Sequence, residues 1–114
     1  MKIVIIGGGK VGSTLASELA KENHDIVIVD SDKERVKLLS ETMDVMTLQG
    51  NGALAEVQRT AGVDEAELVI AVTAKDELNL LACIVAKKLG CSNTIARVRD
   101  RGYSEQMYLL KEDL

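Results

Sequence analysis

The chain has 114 residues, enough for one domain and not two. Because 46% of them are hydrophobic, a packed core is expected rather than disorder. A net charge of −4 and a pI of about 5.0 argue against a nucleic-acid partner, and no apolar run approaches the ~20 residues that span a bilayer.

Apolar runs recur at 2–7, 25–30, 45–50, 68–73 and 94–99, separated by stretches of helical periodicity. The first run, Lys2-Ile3-Val4-Ile5-Ile6, meets Gly7-x-Gly9-x-x-Gly12 and passes into a helix. Its inward stripe reads as Val11, Leu15 and Leu19, with small Gly12 and Ala16 beside them. The second run, Ile26-Val27-Ile28-Val29, ends in Asp30, and Ser31 with Glu34 reads as a capping box opening the next helix. Val36 and Leu39 should face inward from it. The third run leads to Gly50-Asn51-Gly52 and a weakly patterned helix near 52–60, anchored by Leu54 and Val57. The fourth ends at Thr73-Ala74-Lys75-Asp76 and opens a helix with the stripe Leu78, Leu81, Val85 and Leu89, closed by Gly90 at C′. The fifth holds Ile95-Ala96-Arg97-Val98-Arg99. Segment 103–114 follows, with Tyr103, Met107, Leu110 and Leu114 at helical spacing.

Alternating strand and helix at this pitch implies βαβ units and a parallel sheet. The runs at 3–6, 26–29 and 68–72 are continuous rather than alternating, as in strands buried on both faces. Right-handed crossovers then favour the order 3-2-1-4-5: a doubly wound, Rossmann-like α/β sheet without a sixth strand. Its ligand crevice lies beyond the carboxyl ends of the first and fourth strands, where the order reverses. The glycine loop, Asp30 and Thr73-Ala74-Lys75-Asp76 all end there.

A glycine triplet alone is weak evidence. Set between strand and helix, with an acid closing the next strand eighteen residues after Gly12, it is a strong sign of a dinucleotide-type site. Gly7 permits the tight turn, Gly9 lets backbone approach a pyrophosphate, and Gly12 lets helix and strand pack closely. The helix N-terminus offers unpaired N–H groups to the phosphates. Asp30 would accept both hydroxyls of an adenosine ribose and repel a 2′-phosphate, although Lys33 and Arg35 nearby weaken that exclusion. Asp30→Ala should then abolish binding and leave the fold intact. Lys10 is either a phosphate contact or a solvated lysine. Asn51 is an adenine neighbour or a plain turn residue. Thr73 and Ala74 form a small-residue wall suited to a ribose, and Asp76 and Glu77 read as helix-capping acids. Arg97, within the fifth strand, faces a ligand phosphate, a carboxylate or solvent.

No catalytic or metal-binding set is legible. His24, the only histidine, reads as a surface turn residue at the far end of the sheet. Tyr103 and Tyr108 lack a lysine four residues on, Cys83 and Cys91 have no histidine as base, and no cluster has zinc spacing. Two cysteines without a CxxC pair suggest reduced thiols in a cytosol, and Met1-Lys2-Ile3 leaves no room for a signal peptide.

Taken together, Val4 to Gly12, Val29-Asp30, Gly50-Asn51-Gly52, Val69 to Thr73 with Asp76-Glu77-x-Asn79, and Ile95 to Asp100 carry a specific resemblance. The chain resembles the N-terminal nucleotide-binding domain of Trk- and Ktr-type potassium-uptake regulatory proteins, the RCK or KTN domain. The resemblance implies a cytoplasmic regulatory subunit and no enzyme, peripheral to the membrane through its partner. It implies NAD(H), or alternatively ATP or ADP, as a gating ligand, and a homo-oligomer beneath a membrane potassium channel subunit. The candidate cofactor-binding set is Gly7, Gly8, Gly9, Lys10, Val11, Gly12, Asp30, Ser31, Asn51, Thr73, Ala74 and Arg97.

Two departures stand out. Lys10 occupies a position where such proteins often carry arginine, which tilts the expectation toward NAD(H), and Asn51 stands where an acid is common. The usual sixth strand, crossover helix and C-terminal ligand domain are missing, so residues 1–114 read as a fragment. The stripe Tyr103, Met107, Leu110 and Leu114 is a candidate subunit or crossover surface, or a cover for its own sheet. Two rival readings remain: the cofactor-binding half of an NAD-dependent dehydrogenase, and a bare Rossmann scaffold used for assembly.

Overall fold

Runs of β-branched residues favour extended backbone, and such runs at 3–6 and 26–29 form the centre of a sheet of five strands. The computed structural model describes residues 1–114, with β1 (Lys2–Ile6), β2 (Asp25–Asp30), β3 (Met46–Gln49), β4 (Leu68–Ala71) and β5 (Thr94–Ala96). The helices are α1 (Lys10–Lys21), α2 (Lys33–Thr42), α3 (Ala55–Ala61), α4 (Asp76–Lys88) and α5 (Ser104–Leu110), with short 3-10 turns at Val63–Glu65 and Arg101–Tyr103. All strand pairs are parallel and the order is β3-β2-β1-β4-β5, as expected.

Each central strand feeds two cores. Ile3, Ile5, Ile26, Ile28, Ile70 and Val72 pack toward α1 and α2 around Ala16 and Leu39. Val4, Ile6, Val27, Val29, Val69 and Ala71 pack the other way, against Ala61, Ala82, Cys83 and Ala86. Val4 and Ile5 are 0% exposed, which explains the continuous apolar run: both faces of the strand are interior. Each such side chain contributes ~1.5–3 kcal/mol on burial.

Several local expectations change. Val11 is 40% exposed at the head of α1, and the helix packs instead through Gly12, Leu15, Ala16 and Leu19. The cap of α2 is Asp32, not Ser31: its Oδ1 accepts from the N–H of Glu34 and Arg35. α3 starts at Ala55, and Leu54 is 54% exposed, so the anchors are Gln58 and Ala61 with Val57 half-buried. On α4 the inward face is Asn79, Ala82, Cys83 and Ala86, while Leu81 is 51% exposed. Small residues let the helix axis approach the sheet, with Leu80 buried beside them, Leu89 packed partly against the core and Leu81 left outside. Gly90 is confirmed as the C′ glycine, at φ 112°. β5 stops at Ala96 and Arg97 lies just beyond it, although its N–H still reaches the carbonyl of Ala71.

Segment 103–114 is divided. Tyr103, Leu110 and Leu114 are half-buried, whereas Met107, Tyr108 and Leu109 are exposed. Lys87 Nζ donates to the carbonyls of Glu112 and Leu114, tying the end of the chain to the last turn of α4. No helix is long and apolar enough to cross a membrane.

Cys83 and Cys91 are free thiols inside the core. Burial pushes the Cys83 thiol up from its ordinary 9.0 to about 11. A raised folded-state value means the folded chain holds its proton where the unfolded chain has released it. The contribution is therefore intact below pH 9 and is lost as pH rises toward 11, by about 3 kcal/mol in all. Denaturant melts should show this fall, and Cys83→Ala should remove it. At pH 8 a thiol reagent should label neither cysteine until the chain is unfolded.

Candidate functional site

Beyond the carboxyl ends of β1 and β4, the segments after all five strands surround an open crevice of about 560 Å³. Of the twelve candidate residues, ten line it: Gly7, Gly9, Lys10, Val11, Asp30, Ser31, Asn51, Thr73, Ala74 and Arg97. Gly8 and Gly12 do not. A Cβ on Gly8 would press on Leu39 and Ile28, and a Cβ on Gly12 would overlap the carbonyl oxygen of Gly7. Gly12 is thus the close-packing glycine, as its place in the loop suggests. Gly8 turns toward α2, and its N–H donates to Asp30 Oδ2 at 2.7 Å.

The loop itself divides its labour. Gly7 has φ +111°, and a Cβ there would lie 2.9 Å from the N of Thr73, so this turn requires glycine. Gly9 is the N-cap of α1 with φ −70°, and a Cβ on it would meet nothing within 4 Å. It offers no side-chain acceptor to the helix. The first intrahelical bond runs from Ser13 N–H to the Gly9 carbonyl, and the amides of Gly9, Lys10, Val11 and Gly12 find no acceptor in the chain. In α2 the Asp32 carboxylate fills that role. The open N-terminus of α1 therefore presents unpaired donors and the positive end of its dipole at the crevice.

Asp30 stands across from this loop, 8% exposed at the end of β2. Its Oδ1 accepts from Asp32 N–H at 2.9 Å, while Oδ2 accepts from Gly8 N–H and lies 3.5 Å from Arg35 Nη1. The carboxylate is thus a structural tie as well as a crevice group, which corrects the expectation that Asp30→Ala leaves the fold untouched. Removing it leaves two backbone donors short of a partner, at ~1–3 kcal/mol each where water cannot reach.

The far wall is held by the Thr-x-x-Asp-Glu-x-Asn segment. Asn79, 0% exposed, accepts from the N–H and the hydroxyl of Thr73, at 2.8 and 2.7 Å, and donates to the carbonyls of Thr73 and Arg97. Arg97 Nη2 donates to the carbonyl of Thr73, and Arg99 Nη2 to that of Ala74. Asp76 does not cap α4, as sequence suggested. Its carboxylate accepts from Arg99 N–H and Asp100 N–H, which hold it below the usual carboxylate range, with the Arg99 and Arg97 charges assisting and burial opposing. The β4–α4 and β5–α5 connections therefore form one bonded unit. At the third corner, buried Gln58 donates to the carbonyls of Gly52 and Ala82, fastening the Gly50-Asn51-Gly52 loop to α4. Asn51 Oδ1 closes its own turn on Ala53 N–H.

Arg35, Lys75 and Leu78 are among the lining residues that stand outside the candidate cofactor-binding set. Arg35 carried a signal, lying five residues after Asp30 in the first turn of the next helix. Lys10, Arg35, Lys75 and Arg97 give the crevice four cations against the single carboxylate Asp30. The local balance is therefore opposite to the net charge of the chain. His24 lies elsewhere, with Nδ1 3.2 Å from the N-terminal amine.

Residues 3–113 match the family model of the TrkA-N domain. The chain belongs to the TrkA-N domain family. This TrkA-N domain is 47% identical over 104 residues to the Trk system potassium uptake protein TrkA of Halomonas elongata, covering 90% of this chain and 23% of that protein. It is 35% identical over 113 residues to the TrkA homolog of Pyrococcus horikoshii, covering 98% of this chain and 50% of the other. The chain thus spans about a quarter to a half of the length of these relatives. Among solved structures, the GsuK channel bound to NAD superposes with a TM-score of 0.81 at 26% identity, covering 95% of this chain and 20% of that one. GsuK bound to ADP gives 0.80 at 26%, covering 95% and 28%. The NAD(P)-binding domain of an exopolyphosphatase-related protein from Archaeoglobus fulgidus gives 0.82 at 20%, covering 94% and 80%, a likeness of fold.

Proposed function

We propose that this TrkA-N domain is the nucleotide-sensing part of a regulatory subunit of a potassium transport system, with NAD(H) as its ligand and ATP or ADP as the alternative. One observation carries the reading: the unpaired amides of Gly9, Lys10 and Val11 at the head of α1 and the Asp30 carboxylate border the same crevice. The amides suit a diphosphate, and the carboxylate suits the diol of the adjoining ribose. Thr73 and Ala74 leave room for a second ribose beside the loop, and Asn51 borders the adenine. Lys10, and Arg97 across the crevice, add charge where phosphates would lie; a charge-assisted hydrogen bond is worth ~1.5–3 kcal/mol. The GsuK structures with NAD and with ADP support both ligand classes.

The domain acts by binding rather than by chemistry. A ligand that spans the crevice favours one arrangement of subunits over another by its difference in affinity for the two, and a coupling of ~1–3 kcal/mol suffices. The names of the relatives, a potassium uptake protein and a channel, support a potassium-transport partner, and the family resemblance implies a homo-oligomer on the cytoplasmic side of a membrane channel subunit. The dehydrogenase reading instead requires hydride transfer, and the polar groups lining the crevice are lysine, arginine, aspartate, serine, threonine and asparagine.

Thermal melts with NAD+, NADH, ATP and ADP test the proposal. A bound ligand should raise the melting temperature with concentration, equivalent to ~2.7 kcal/mol at a hundredfold excess over Kd. Asp30→Ala should lower the melting temperature of the free domain and abolish the ligand-dependent rise. No shift with any of the four would leave the bare-scaffold reading standing, and NADH oxidation on addition of a partner chain would support a dehydrogenase.

A further inference from the structure

The ribose end of the crevice holds more than the Asp30 carboxylate. Asp30 has about four acceptor positions, and three donors already address them: Gly8 N–H and Arg35 on Oδ2, and Asp32 N–H on Oδ1. A diol held by both hydroxyls needs two. The two backbone donors are fixed by the fold, so Arg35 is the one that must yield. Its contact is the longest, at 3.5 Å, and its side chain is 47% exposed, so it is free to move. Once released it remains beside the 2′ position, because it lines the same crevice as Ser31 and Asp30.

We infer that Arg35 is the specificity-determining residue at the ribose. It yields its place on Asp30 to a free diol, and its guanidinium takes a 2′-phosphate in two parallel hydrogen bonds when one is present. Asp30 and Asp32 oppose that phosphate, while Arg35 and the Ser31 hydroxyl receive it. The crevice therefore admits 2′-phosphorylated adenosine dinucleotides beside the unphosphorylated ones, which an unaccompanied Asp30 would exclude. This inference rests on the nucleotide reading of the crevice.

Calorimetry on the 114-residue chain with NAD+ and NADP+, which differ only in the 2′-phosphate, tests it, with ADP as a control for the site. The wild type should bind NADP+ within tenfold of NAD+. Arg35→Gln should weaken NADP+ at least tenfold more than it changes NAD+. Arg35→Lys, which keeps the charge but loses the fork, should fall between. Lys33→Gln, one turn position away and outside the lining, should leave the ratio within threefold. Discrimination against NADP+ beyond tenfold in the wild type, equal weakening of both ligands by Arg35→Gln, or an equal effect of Lys33→Gln would overturn the role of Arg35 while leaving the nucleotide site intact. Failure of NAD+, NADP+ and ADP alike to bind would overturn the site itself.

Discussion

Gly12→Ala should destabilise the domain by about 3 kcal/mol or more, while Gly9→Ala, three residues earlier, should leave stability unchanged and remove nucleotide binding. The two glycines look equivalent in the motif and are opposite in the structure. A methyl on Gly12 has backbone on its far side, the carbonyl oxygen of Gly7, and no flexible side chain can give way. α1 would have to lift from β1, straining the turn bond from Gly7 N–H to the Val29 carbonyl, at 2.8 Å, and opening the packing of Ala16. A methyl on Gly9 meets nothing within 4 Å, and its φ of −70° and ψ of −161° suit any residue. It would project into the space that a pyrophosphate needs. Urea denaturation checks the first half and calorimetry with NAD+ the second. Wild-type affinity in Gly9→Ala would mean that no phosphate rests against this loop.

The second large effect is expected at Asn79. Asn79→Ala should cost about 2–4 kcal/mol, because the Thr73 amide and the Thr73 and Arg97 carbonyls all lose a buried partner at once. The loss should appear in the denaturation midpoint with an unchanged m-value. In the variant that remains folded, nucleotide affinity should also fall, since Thr73 and Ala74 form the crevice wall that Asn79 holds. A cost below about 1 kcal/mol would show that this bond set is replaced by water.

The fold was readable because its signals are local and repeated. A buried parallel strand needs an unbroken apolar run, and Ile3 to Ile6, Ile26 to Val29 and Leu68 to Val72 supply three. The glycine spacing and the terminal Asp30 located the crevice for the same reason: each residue answers a backbone requirement at its own position. Helix faces were less legible. On α4 the bulky leucines draw the eye, yet close approach to the sheet selects Ala82, Cys83 and Ala86. Caps were ambiguous as well, since Ser31 and Asp32 are both good N-caps and only the chain direction after Asp30 chose between them.

What the sequence determined by itself was the order of strands, the two-sided core and the loop that opens α1, because each follows from periodicity or from a backbone conformation only glycine allows. The tertiary structure alone decided which polar groups share a partner. Asp30 serves Gly8 and Asp32 as well as the crevice, Asp76 holds the segment after β5 rather than its own helix, and Asn79 joins Thr73 to Arg97, 24 residues apart. Those bonds link positions distant along the chain. Hydrogen-bond geometry, which must be met to within a few tenths of an ångström, exists only after the sheet has brought the ends of its strands together.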